Sequence, residues 1–122
     1  MTKIDMEYDK ILIINDLFLA ETGVDFYGYK MTQFGSNDFE RIRACYYWFI
    51  NEFTNLTPHE IGILFGYSNV GENHPAQAIN VNLQKYNERI GLIPSDIREH
   101  ERLLKRYETY TIKPHQVSDN PI

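Results

Sequence analysis

The sequence predicts an all-α domain, and three features of the chain support this fold class. Apolar residues recur at intervals of three and four along five segments, a spacing that places side chains on one face of a helix. Helix start and stop residues, chiefly prolines and glycines, separate these segments. Hardly any stretch shows the two-residue alternation of a strand. The 122 residues suit one domain, which we expect over residues 1–110, followed by a flexible tail over residues 111–122.

The first two predicted helices supply most of the expected core. The first covers about residues 5–21 and ends before Gly23. Its inner face is expected to carry Ile11, Ile14 and Phe18, widened by Leu12 and Leu19. The second covers about residues 39–55 and is expected to be the central core helix. Its inner face is expected to carry Ile42, Tyr46, Phe49, Ile50 and Phe53.

Three further helices are predicted in the second half of the chain. Thr57 and Glu60 form a capping box that starts the third helix, which is expected to end at Gly66. The fourth begins at Pro75 and runs to about residue 90, with Gly91 as its stop, and the fifth runs from residue 94 to about residue 110. Their inner faces are expected to carry Ile61, Leu64 and Phe65, then Ile79, Leu83, Tyr86 and Ile90, then Ile97, Leu104 and Tyr107.

The third and fourth segments together indicate a function. A short capped helix, a turn with glycine and a longer helix with a polar outer face form a helix-turn-helix pattern, whose second helix can enter the major groove of DNA. Gln77, Asn80 and Gln84 form an amide stripe on the fourth helix, and such amides can donate to and accept from adenine at once. Asn73 and His74 precede this helix, where free backbone N–H groups favour a phosphate.

A longer pattern links the second and third helices. An Arg-x-Arg pair opens the second helix, and a Thr-x-x-Glu-Ile-Gly-x-x-Phe-Gly segment covers the third. The residues in question are Arg41, Arg43, Thr57, Glu60, Ile61, Gly62, Phe65 and Gly66. Residues 39–66 thereby resemble the C-terminal duplex-DNA-binding domain of the bacterial replication initiator DnaA, and a weaker likeness covers residues 4–110. The resemblance implies a five-helix, Trp-repressor-like helix-turn-helix fold, a link to DNA replication, and phosphate contacts by Arg41 and Arg43.

The chain also departs from the DnaA pattern. Where that family has Gly-Arg-Asp-His-Thr-Thr-Val, residues 66–79 read GYSNVGENHPAQAI, which keeps His74 and places Asn73 at the aspartate. The arginine-rich loop of the family is replaced by KMTQFGSND at residues 30–38. The resemblance therefore implies the fold and DNA binding but not the family's target sequence. Since the ATPase region of that family has no counterpart here, we expect an accessory or regulatory factor.

Two alternatives remain open. Residues 66–69 (GYSN) and 91–98 (GLIPSDIR) resemble the second helix-turn-helix of AraC-type regulators, which would imply a fragment of a transcription regulator. The chain also has 12 Lys and Arg against 17 Asp and Glu, a net charge of −5, so a broad basic surface for DNA is excluded. The same fold could instead serve as a protein-interaction domain that has lost DNA binding.

The basic side chains of the fifth helix have two readings. They are Arg98, Arg102, Lys105 and Arg106, which share one face. They could contact phosphates, or they could pair with nearby acidic residues such as Glu99, Glu101 and Glu108.

Other functional classes receive no support from the residues. Cys45, the one cysteine, lies in an apolar run and is expected in the core. The four histidines lack metal-ligand spacing, and no catalytic constellation is present, so we expect no enzyme, metal site, cofactor or small-molecule substrate. The longest apolar run, residues 44–50, is too short to span a bilayer, and no signal-peptide core is visible. We therefore expect a cytoplasmic protein without membrane contact.

Overall fold

The computed structural model describes residues 3–26, 37–67 and 74–119, with side-chain surroundings described for residues 5–26, 38–67 and 74–110. Five α-helices occupy these ranges, and no strand occurs within them. In chain order the helices are α1 (Lys3–Thr22), α2 (Asn37–Phe53), α3 (Pro58–Leu64), α4 (Pro75–Leu92) and α5 (Pro94–Asp119). The all-α prediction is thus confirmed for the described part of the chain. In that part, no helix is both long enough and apolar enough to cross a bilayer.

Helix α2 lies at the centre of the core. It packs against α1, α3 and α4, and its Tyr46, Phe49 and Ile50 side chains are fully buried. Phe18 of α1 meets Tyr46 and Phe49 edge-on, at ring-centroid distances of 5.4 and 5.3 Å. Aromatic pairs in this geometry stabilise a core beyond the area that they bury. The prediction that the second helix is the central core helix is confirmed.

The buried side of α1 is rotated relative to the prediction. Ile11, Ile14 and Phe18 are buried as expected, and Leu17, which was not predicted to face the core, is also fully buried. Leu19, which was expected to widen this face, is 46% exposed. Because α1 packs against α5 as well as α2, its buried surface extends towards Leu17 and away from Leu19.

Helices α4 and α5 both extend past their predicted ends. Gly91 remains helical, and α4 ends at Leu92. Ile93 has an extended backbone (φ −105°, ψ 110°), because the ring of a following proline disfavours the helical conformation. Helix α5 continues to Asp119, through much of the segment expected to be a tail. Since the side chains beyond Tyr110 lie outside the described residues, the flexibility of that tail stays a prediction.

Candidate nucleic-acid interface

Helix α3 begins at the predicted capping box. The Thr57 hydroxyl oxygen accepts a hydrogen bond from the Glu60 backbone N–H at 3.2 Å, and the Glu60 carboxylate accepts one from the Thr57 backbone N–H at 2.8 Å. Two backbone donors that would otherwise lack a helical partner are satisfied in this way. The start of α3 predicted from the sequence is therefore confirmed.

The end of α3 is also set by local residues. Gly66 has a φ of +94°, a left-handed conformation that glycine adopts without a steric penalty. Its N–H donates to the Ile63 carbonyl at 3.2 Å, and the Tyr67 N–H donates to the Gly62 carbonyl at 2.9 Å. This pair of hydrogen bonds is a Schellman motif, which ends a helix and turns the chain away from it. The predicted stop at Gly66 is confirmed.

Gly62 allows α4 to cross α3 at very short range. A Cβ atom at this position would lie 2.5 Å from the Pro75 Cβ and 2.6 Å from the Pro75 carbonyl oxygen. Both distances are shorter than van der Waals contact, so any larger residue would force the two helices apart. Ile61 of α3 and Ile79 of α4 are fully buried. Helices α3 and α4 therefore form one closely packed unit.

The amide stripe predicted on α4 faces solvent. Gln77, Asn80 and Gln84 are all exposed, while Ile79 and Tyr86 of the same helix are buried. Gln84 makes a long hydrogen bond of 3.4 Å to the carboxylate of Glu88 one turn further along α4. No neighbouring helix thus covers the three amides in the described part of the chain.

His74 and Asn73 were both predicted to lie at the start of α4. His74 is exposed and occupies the N-cap position, without a capping hydrogen bond from its side chain. Its imidazole is therefore not used by the helix start itself. Asn73 lies outside the described residues.

The arginines predicted to contact phosphates are partly engaged within the protein. Nη1 of Arg41 lies 2.9 Å from Oε2 of Glu99 and 3.9 Å from Oδ1 of Asp96. Nη1 of Arg89 lies 3.2 Å from Oδ2 of the same aspartate. Arg43 is only 9% exposed, and its guanidinium carbon lies 5.9 Å from the ring centroid of Phe39. Arg41 therefore links α2 to α5, whereas the ring beside Arg43 belongs to its own helix.

Arg41 and Arg43 nevertheless line an open groove between α2 and α4. The groove has a volume of about 330 Å³, and α4 adds Lys85 and Arg89 to its lining. Sequence reasoning missed both of these α4 residues. Their spacing of four residues placed them on one side of the helix, but only the position of α2 shows that this side borders other cations. We call this feature the α2–α4 groove.

The basic side chains of α5 divide into two groups. Nη1 of Arg102 lies 2.6 Å from Oε1 of Glu21 in α1, and Nε of Arg106 lies 3.4 Å from the same oxygen. Arg98 and Lys105 are exposed. The reading of this face as paired with acidic residues is favoured, although the partner comes from α1 and not from α5.

A buried polar chain lies behind the α2–α4 groove. The Cys45 thiol donates to the Tyr86 hydroxyl oxygen at 3.0 Å, and this oxygen lies 2.8 Å from Nδ1 of His100. Burial raises the pKa of the Cys45 thiol to about 12, so the sulfur stays protonated and is a poor nucleophile. The predicted core position of Cys45 is confirmed. His100 is half-buried between helices.

The described side chains offer no metal site, since no three of their His, Cys, Asp and Glu residues lie close enough together to hold an ion. Comparison of the chain with protein-family models, with curated proteins and with solved structures found no match. The outer side of α4 and the charged groove beside it are therefore the features from which a function can be inferred.

Proposed function

We propose that this chain binds duplex DNA by inserting the outer side of α4 into the major groove. The observation that carries the proposal is the exposure of Gln77, Asn80 and Gln84 on one side of a helix whose other side is buried. Asn and Gln side chains can read adenine by donating and accepting together. The fold that we propose is the five-helix, Trp-repressor-like helix-turn-helix of the DnaA C-terminal domain.

The dimensions of α4 suit this role. Its 18 residues correspond to a length of about 27 Å, and the major groove admits an α-helix. Gln77 and Asn80 lie in the first turns of α4, the part of a recognition helix that contacts base edges. We propose that His74, at the N-cap of α4, contacts a phosphate, and the same role is proposed for Asn73. Gln84 would extend the readout by one turn.

The net charge of the chain affects how strongly we expect it to bind DNA of random sequence. Because acidic residues outnumber basic ones, with a net charge of −5, we expect few phosphates to be neutralised, so affinity for random DNA should be weak and should fall only gradually with salt. Recognition would then depend mainly on base contacts by α4. This combination suits an accessory or regulatory factor that binds selected sites.

A protein-interaction role is the second candidate. It is favoured by the carboxylates of Glu99 and Asp96, which neutralise Arg41 and Arg89 beside α4. It is also favoured by two exposed apolar side chains of the α3–α4 unit, Ile63 at 43% and Val81 at 42%. In this role the outer side of α4 would pack against a protein instead of DNA.

Selection from a pool of random duplexes at low ionic strength tests the proposal. We expect a preferred sequence to emerge, and Gln77→Ala should relax that preference because the amide is lost from the readout. Arg43→Ala should weaken binding to all sequences alike if this residue serves the phosphate backbone.

Two results would oppose the DNA-binding role. One is the absence of any retained duplex at low ionic strength, where phosphate contacts are strongest, which would favour the protein-interaction role. The other is an unchanged sequence preference in Gln77→Ala, since a base-reading helix requires its exposed amides. A Lys105→Ala variant, altered at an exposed site on α5, provides the control.

A further inference from the structure

The lining of the α2–α4 groove carries more cationic than anionic side chains. Four cationic side chains line the groove, from Arg41, Arg43, Lys85 and Arg89, and Glu40 is the acidic residue of the lining. Asp96 and Glu99 of α5 pair with Arg41 and Arg89, so the cations exceed the nearby carboxylates by one. The chain as a whole carries a net charge of −5. A local concentration of cations in an acidic protein is an attractive site for an anion, because nearby charges dominate over the total.

The cations retain donors that could reach a ligand. The ion pairs of Arg41 and Arg89 use one terminal nitrogen of each guanidinium, whereas a guanidinium carries five N–H groups. Lys85 is exposed and makes no ion pair with any other described residue. The ammonium group of Lys85 and the other N–H groups of Arg41 and Arg89 could thus donate to an incoming acceptor.

The two neutral polar residues of the groove lining, Asn82 and Tyr86, already make hydrogen bonds within the protein. The Asn82 amide donates to the Ala78 carbonyl at 2.8 Å, and the Tyr86 hydroxyl is bonded to Cys45 and His100. The remaining wall is aliphatic and includes Val81. A neutral polar ligand would therefore find few partners, whereas an anion would find several charged donors.

We propose that the α2–α4 groove binds a phosphate group. A guanidinium fork matches the oxygens of a phosphate in a bidentate manner, and a lysine adds a compact positive charge. The volume of about 330 Å³ lies at the lower end of the range for small-molecule sites and accommodates a phosphate ester. The phosphate could belong to a free ester or to the backbone of a duplex, and the first source does not depend on the proposed DNA binding.

Titration with inorganic phosphate tests the site. Backbone amide chemical shifts are followed by NMR in the full chain, at constant ionic strength maintained with chloride. We expect saturable shifts at groove residues such as Val81 and Lys85. Lys85→Gln should weaken phosphate binding about tenfold, because it removes a charge-assisted hydrogen bond. Lys105→Gln, which removes an exposed charge on α5 outside the groove lining, should leave the affinity within about twofold.

Two outcomes would overturn the phosphate site. One is a response to phosphate that does not saturate or that chloride reproduces. The other is an equal loss of affinity in Lys85→Gln and Lys105→Gln, which would indicate nonspecific screening by surface charge.

Measuring duplex binding by the same variants distinguishes the two sources of the phosphate. If the group belongs to DNA, Lys85→Gln should weaken all duplexes alike, and inorganic phosphate should compete with them. If Lys85→Gln loses phosphate but binds duplexes as before, the site takes a free phosphate ester. Duplex binding by a chain that shows no saturable phosphate binding would overturn the site and leave the proposed function intact.

Discussion

The two flanks of α4 contact their neighbours in opposite ways. On the α3 side, Gly62 brings the helices so close that a single methyl group would not fit against Pro75. On the α2 side, long charged side chains border an open groove of about 330 Å³. The α3 side therefore determines how closely α4 packs, while the α2 side leaves an open, charged groove.

One added methyl group should disrupt the close packing of α3 against α4. Gly62→Ala should lower the free energy of unfolding by about 1–3 kcal/mol, since the added Cβ meets Pro75 and cannot be accommodated without a shift of α3 from α4. Urea denaturation of the two proteins measures the difference. We expect this to be the largest of the effects considered for α4 and its neighbours.

A second glycine provides the control for that experiment. Gly91 also lies in a helix, but a Cβ there would meet no atom within 4 Å. Gly91→Ala should therefore leave the stability unchanged or raise it by up to about 1 kcal/mol through the higher helix propensity of alanine. Similar losses in both variants would mean that Gly62 is not required by the helix crossing.

Loss of the ion pairs beside the groove should lower the stability of the fold. Arg41→Gln removes the cation between Glu99 and Asp96, which links α2 to α5. Because all three side chains are largely buried, we expect a loss of about 1–2 kcal/mol in urea denaturation. Arg102→Gln is the matched variant. Its arginine is 49% exposed in the pair with Glu21, so a loss of about 0.5 kcal/mol or less is expected.

A loss in Arg41→Gln as small as the one expected for Arg102→Gln would contradict a stabilising link between α2 and α5 through Arg41. A larger loss in Arg102→Gln would place the stabilising contact on the α1–α5 side instead.

Acid should cause the smallest effect, through His100 behind the groove. Burial lowers the pKa of His100 below its ordinary value of 6.5, despite the opposing effect of Glu101. The unfolded chain therefore takes up a proton at a higher pH than the folded chain does. The stability contributed by neutral His100 is complete above pH 6.5 and is lost as the pH falls from there towards the lower folded pKa.

Urea midpoints measured at about pH 7.5 and pH 5.5 test this dependence. His100→Gln should flatten it, while His59→Gln, at an exposed position on α3, should not. If the wild type and His100→Gln lose stability in parallel, another group is responsible for the change.

The prediction from sequence succeeded where neighbouring residues control the backbone. Thr57 and Glu60 meet three positions apart, and Gly66 adopts its conformation without help from distant residues. It failed at Gly91, where Pro94 and not the glycine ends the helix. It also misplaced the buried side of α1, because the position of α5 is not encoded in the local spacing of apolar residues.

The features of the candidate site likewise divide into those that were predictable from the sequence and those that were not. The outward direction of Gln77, Asn80 and Gln84 was predictable, because helical periodicity places them opposite the apolar positions of the same helix. The engagement of Arg41 by Glu99 was not predictable, since 58 positions separate these residues in the chain. The phosphate-contacting roles of Arg41 and Arg43 stay predictions.

The amino-acid sequence alone thus specified the helices, their caps and the polar side of α4, since each depends on residues within one or two helical turns. The arrangement of those helices specified which charges meet, how closely α3 and α4 approach, and where a groove remains. Such contacts join residues that are distant in the sequence. Arg102 and Glu21, for example, lie 81 positions apart. Packing of the shared core brings such residues together, and no local pattern records which of them will meet.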